Sequence, residues 1–278
     1  MNLCRQKRAW YHRGVRVSSV VVMLLVSAPV AAARADPIAA ARRFYNQGQF
    51  QQAIDAAHQA TGTPAIAASA HMIAGRAELE LYRRDGQPDE LDHARTELRQ
   101  VNALFIGAQE QLELQVGFAE LLYFDQRYGA AAELLQPLLD ASLILTPDAH
   151  DRALDWWASA LDRAAQAGSK DERTAVYTRV ANRMEQELRR DPTSPTAGYW
   201  LAVAARGAGD LDRAWAAAYA AWVRAPLRPD RVASLRSDLD KLVVQAIIPE
   251  RADALPPRDR RQALAAMTSE WVQFKKNW

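Results

Sequence analysis

Cysteine is almost missing from this 278-residue chain, with Cys4 its single example. Cys4 precedes the apolar stretch Val17 to Ala33, so it cannot be the lipid-bearing cysteine of a lipoprotein, which must follow such a stretch. A chain cut behind that stretch would have no disulfide and no thiol chemistry. Strand signals are missing too: beyond residue 36 no run of alternating Val, Ile or Thr is bounded by turn residues. Nor does a second apolar run of membrane-spanning length follow. Local signatures of chemistry are equally scarce. There is no H-E-x-x-H, Cys/His cluster, G-x-S-x-G, P-loop or dinucleotide glycine fingerprint, and Gly207-Ala208-Gly209 reads as a helix-to-helix turn. His58, His71, His93 and His150 fall on separate helices without His-x-x-x-His spacing. Glu78 and Glu80, two apart, point to different helix faces. The expectation is a protein without enzymatic activity, cofactor or bound metal.

What is present begins with an asymmetry of charge. The formal net charge is +2, but residues 1–35 hold Arg5, Lys7, Arg8, Arg13, Arg16 and Arg34 and no acidic residue. Without those six, 29 basic residues face 33 acidic ones, a net charge of −4 for residues 36–278. Such a body lacks the positive surplus that neutralises phosphates, so nucleic acid is not an expected partner. The basic start, the apolar core Val17 to Ala33 and the small-x-small step Ala33-Arg34-Ala35 read as a cleaved export signal ending before Asp36. The mature chain is therefore expected to be periplasmic and not membrane-spanning. At 49% hydrophobic and 24% charged residues the full chain has the composition of a folded protein.

Along residues 36–278 apolar residues recur at three and four spacing, punctuated by Gly, Pro and Asp. The pattern predicts helices over 37–47, 49–61, 65–84, 88–104, 108–125, 128–141, 148–167, 171–190, 196–208, 211–225, 230–247 and 257–276. Thr63-Pro64, Thr146-Pro147 and Ser194-Pro195 mark starts, each with a proline where its missing N–H costs nothing. One register recurs three times. Phe44, Gly48, Phe50, Ala53, Ala57 and Ala60 return in kind as Leu122, Gln126, Tyr128, Ala131, Leu135 and Leu138. They return again as Ala205, Gly209, Leu211, Ala214, Ala218 and Ala221, followed by Pro226.

This register is similar to that of the tetratricopeptide repeat family, whose units are helix–turn–helix hairpins of roughly 34 residues. Ala41, Ala119 and Ala202 fill the small position of the first helix, and Gly48 and Gly209 the turn glycine, which Gln126 replaces. The match is degraded at 65–104, where Asp85-Gly86-Gln87-Pro88 is inserted, and at 148–190. The resemblance implies an all-α, right-handed α-solenoid of about five helical hairpins over residues 36–226. Residues 227–278 would add a C-terminal capping helix pair.

The resemblance also implies a concave groove lined by first helices. Its groove positions fall on Arg42, Tyr45 and Asn46, on Glu113, Glu120, Tyr123 and Phe124, and on Tyr199 and Arg206. The expected function is a scaffold that binds a protein or peptide partner, with a periplasmic small-molecule carrier of a transport system as the alternative. The Asn/Lys/Arg clamp that some members use for chain-terminal carboxylates is not evident. Among the tryptophans most are expected in the core, while Trp200 has a possible place on the concave face beside Tyr199. Past Pro256-Pro257, Leu264, Met267, Trp271, Phe274 and Trp278 form one stripe. Either it caps the stack, or it is a docking helix that leaves Trp271 and Trp278 exposed.

Overall fold

Proline and small polar residues set where the helices begin. The structure is a computed structural model that describes residues 36–60, 62–140, 146–228 and 232–278. The helices run α1 (Pro37–Asn46), α2 (Phe50–His58), α3 (Pro64–Asp85), α4 (Pro88–Gln100) and α5 (Ala108–Phe124). They continue as α6 (Tyr128–Asp140), α7 (Pro147–Ala165), α8 (Lys170–Arg190), α9 (Pro195–Gly207) and α10 (Leu211–Arg224). Last come α11 (Val232–Leu242), α12 (Ile248–Asp253) and α13 (Pro257–Asn277). The described residues are all-α, with no strand among them. Of their helices none is long and apolar enough to cross a membrane. The expected export signal and Cys4 lie outside the described residues.

Thr63, Thr146 and Ser194 each accept a hydrogen bond from the backbone N–H three residues on, with proline at the first helical position. Ser169 and Glu172 cap α8 reciprocally. Caps of this kind are worth about 1 kcal/mol each.

The recurring register folds into one recurring turn. Between α1 and α2 the Gln49 N–H donates to Phe44 O at 2.9 Å. Between α5 and α6 Arg127 donates to Leu122 O at 2.8 Å, and between α9 and α10 Asp210 donates to Ala205 O at 2.9 Å. In each, the preceding residue has left-handed backbone: φ is 72° at Gly48, 62° at Gln126 and 86° at Gly209. This six-to-one closure needs a positive φ to turn the last carbonyls back onto the chain. Gln126 adopts the glycine conformation without being glycine.

The chain divides into two compact units, with the boundary inside α5 after Gly117. In the first, α1, α2 and α3 enclose Ala41, Ala53, Ile54, Ala57, Met72, Ile73, Ala74 and Ala77. Alanine at these positions lets helix axes approach closely. Leu98 of α4, fully buried, packs onto two glycines: a Cβ on Gly75 would lie 2.7 Å from its side chain, and one on Gly117 3.1 Å.

In the second unit α7 packs on α9, and α9 on α10 and α11. A buried charge network ties α6, α7 and α8. Arg183 donates to Leu139 O at 2.7 Å, to Asp140 Oδ1 at 2.6 Å and to Glu187 Oε1 at 2.7 Å. His150 Nε2 meets Glu187 Oε2 at 2.9 Å. Burial pushes the Glu187 carboxyl up, but His150 and Arg183 outweigh it and hold it below the usual carboxylate range.

Sequence pattern ends a helix at Ile247-Ile248-Pro249, and the structure does not. A π-turn over Val243–Ile247 joins α11 to α12, and Pro249 enters the first turn of α12. In a regular helix proline strikes the carbonyl four residues back; the wider π-turn moves that carbonyl away. Trp271 of α13 is fully buried, its ring 5.3 Å from Trp222, 5.6 Å from Tyr219 and 6.1 Å from Trp215. Its indole N–H donates to Asp240 at 2.8 Å, and Lys275 reaches the same carboxylate at 2.5 Å. The docking alternative, with Trp271 exposed, does not hold. Phe274 packs on Tyr219 at 4.0 Å, and Trp278 remains 62% exposed.

Candidate partner-binding surfaces

In the first unit the resemblance-implied residues meet one another. Arg42 of α1 pairs with Glu110 and, at 3.5 Å, with Glu113 of α5. Ser69 of α3 donates to the same Glu110 at 2.7 Å. The Tyr45 ring lies edge-on to Phe50 at 5.7 Å and beneath the Arg76 guanidinium at 5.7 Å. Asn46 is exposed at the end of α1. Three first helices thus share a polar face whose charges compensate each other.

Histidines that lie on separate helices also converge. His58 of α2 and His71 of α3 approach the two oxygens of Glu97 on α4, at 3.0 and 2.7 Å. His93 lies 4.0 Å from Glu78, whose carboxyl burial pushes up. No group of three or more His, Cys, Asp or Glu among the described residues is placed to hold a metal ion.

The second unit carries more aromatic surface. Tyr123 and Phe124 at the end of α5, Tyr128 opening α6 and Trp156 of α7 are all half-buried. Their rings meet edge to face: Tyr123 is 5.1 Å from Tyr128 and 4.9 Å from Trp156, and Phe124 is 5.7 Å from Trp156. Edge-to-face contact is the favoured aromatic geometry. Burial raises the Tyr123 hydroxyl above its ordinary value, against a hydrogen bond with Arg163. Glu120, expected on this surface, is instead buried at 6% exposure.

Farther along, Tyr199 of α9 is half-buried, its ring 5.7 Å from that of Trp200. Burial raises its hydroxyl, and the negative charges of Asp238, Asp155 and Asp162 raise it further. Burial likewise pushes the Asp238 carboxyl up to about 7, with Lys241 pulling it down and Asp155 pushing it up. Trp200 is buried and donates to Asp155 at 2.7 Å, which turns it toward α7 and away from the free surface. Arg206 is held on Glu250, its Nε 3.0 Å from both carboxylate oxygens.

No family model, curated protein or solved structure matches this chain. The surfaces therefore have to be read from their own chemistry. Sequence reasoning missed Trp156, Arg163, Asp155 and Asp238. Trp156 had a signal: in Trp156-Trp157 one ring must leave the core, because neighbours on a helix point about 100° apart. Asp155 and Asp238 had none, since only packing of α7, α9 and α11 brings them to Tyr199.

Proposed function

We propose that this protein is a non-enzymatic binding scaffold, a tetratricopeptide-like stack whose first-helix face takes a protein or peptide partner. The observation that carries this reading is the half-exposed aromatic group of Tyr123, Phe124, Tyr128 and Trp156 beside Arg163. Aromatic rings already held in place by one another give contact area at small entropic cost, and Arg adds direction. The three equivalent turns support repetition of one hairpin unit, and the solenoid with its C-terminal cap extends that repetition to the whole chain. On this reading residues 1–35 act as a cleaved export signal and the scaffold works in the periplasm.

The carrier alternative finds less support. Among the described residues, one cavity, between Thr193, Ser194, Gly198 and Leu235, has a volume of about 10 Å³, room for one water molecule. A photo-crosslinking side chain at position 156 should give a discrete protein adduct in cells, and one at the exposed Gln186 on α8 should not. An adduct from both positions, or from neither, refutes this surface.

A further inference from the structure

The first turn of α13 breaks a local electrostatic rule. Helix N-termini carry partial positive charge and favour acidic residues. Yet Arg258 and Arg260 stand in that turn and Arg261 directly behind it, against Asp259 alone, and Pro256 supplies no capping side-chain hydrogen bond. Arg260 is occupied locally, by Leu255 O at 3.0 Å and Asp253 at 3.6 Å. Among the described residues Arg258 reaches its neighbour Asp259 alone, at 3.6 Å, and its side chain is 86% exposed. Arg261 is exposed and makes no ion pair with any described residue.

Large apolar side chains stand beside these cations. Leu255 is 39% exposed and Leu264 44%. Arg258, Arg261 and Leu264 follow at spacings of three, so they occupy neighbouring positions on one flank, while Asp259 points elsewhere. The burial of Trp271 and its bond to Asp240 hold the helix in place, so the flank is presented rigidly.

Cations at a helix N-terminus and leucines in water are both unfavourable in the isolated protein. Both become favourable against a surface that places anions over an apolar layer. We propose that this end of α13 docks on an anionic lipid membrane, with Arg258 and Arg261 among the headgroups and Leu255 and Leu264 entering the acyl boundary. The net negative charge of residues 36–278 does not prevent this, because screening confines the interaction to about 10 Å at ordinary salt.

The test is co-sedimentation of the full chain with vesicles of mixed phosphatidylglycerol and phosphatidylcholine, against phosphatidylcholine alone. Residues 1–35, with six cations around the apolar segment Val17 to Ala33, also favour anionic vesicles, so the comparison between variants carries the decision. Wild type should prefer the anionic vesicles, and Arg261→Glu should weaken that binding about tenfold. Glutamate suits a helix N-terminus, so this variant keeps its fold, as circular dichroism would verify. Lys170→Glu, the same charge reversal in the first turn of α8, should leave binding unchanged. Equal sedimentation with both vesicle types overturns the proposal, and so does equal loss in the two variants. Absence of vesicle binding while Arg258 or Arg261 crosslinks to an acidic protein overturns it too.

Discussion

Replacing Gln126 with glycine should make the protein more stable, against the usual cost of adding a glycine. At φ 62° Gln126 holds the left-handed conformation that Gly48 and Gly209 take at the two equivalent turns. For a residue with a Cβ that conformation costs roughly 1–2 kcal/mol. Glycine removes the cost but gives the unfolded chain more freedom, which returns roughly 0.5–1 kcal/mol. The net expectation for Gln126→Gly is a gain of about 0.5–1 kcal/mol, or roughly 1–4 °C in Tm. The Gln126 side chain is exposed, so little packing is lost. The reciprocal changes isolate the backbone contribution. A Cβ at Gly48 or Gly209 would meet nothing within 4 Å, so Gly48→Ala and Gly209→Ala should each cost about 1 kcal/mol through conformation alone. Urea denaturation followed by circular dichroism reads all three. Loss of stability in Gln126→Gly, together with no loss in Gly209→Ala, would refute the argument that these turns demand positive φ.

Asp238→Asn should change how stability depends on pH. A carboxyl raised from 3.8 to about 7 in the folded state stabilises fully below pH 3.8, and that stability is lost as pH rises to about 7. The full shift corresponds to about 4 kcal/mol, which partial solvent access reduces to about 2. The variant should therefore gain about 2 kcal/mol on wild type at pH 8 relative to pH 3.5, and parallel melting curves at both pH values would contradict the assignment. Gly207→Ala should destabilise by about 1–3 kcal/mol, because its Cβ would fall 2.5 Å from the Tyr177 ring. In the double variant with Tyr177→Ala the further cost of the alanine at 207 should vanish, and thermal denaturation of the set measures this. Trp271→Ala removes the fully buried centre of the α13 contact and should cost about 3–5 kcal/mol. Limited proteolysis near Leu255 should speed up in that variant, and an unchanged cleavage rate would show that α13 does not depend on the ring.

Helix positions were readable in the chain because their causes are local. Proline behind Thr63, Thr146 or Ser194 needs only the next turn to act, and the spacing of apolar residues needs only helical geometry. The recurring register also foretold three equivalent turns, even where Gln126 stands for glycine. The helix end placed at Pro249 failed because a proline is tolerated once the turn before it widens, and nothing in the local pattern announces a π-turn.

The surfaces were less readable. Periodicity finds the buried stripe of a helix but not which neighbour covers the remaining faces, so Glu120 was assigned to a surface and proved buried, and only the packing of α13 decided between a capping and an exposed Trp271. Arg42 and Glu113 were placed on one face, and only the approach of α1 to α5 reveals that they neutralise each other. The sequence by itself determined an all-helical chain, its caps and its turn register, since these arise from interactions a few residues apart. The tertiary structure decided which charges are compensated, which aromatic rings stay half exposed and how far Asp238 is raised. Those depend on residues from separate helices, far apart in the chain, reaching a common surface, a distance across which no local pattern carries information.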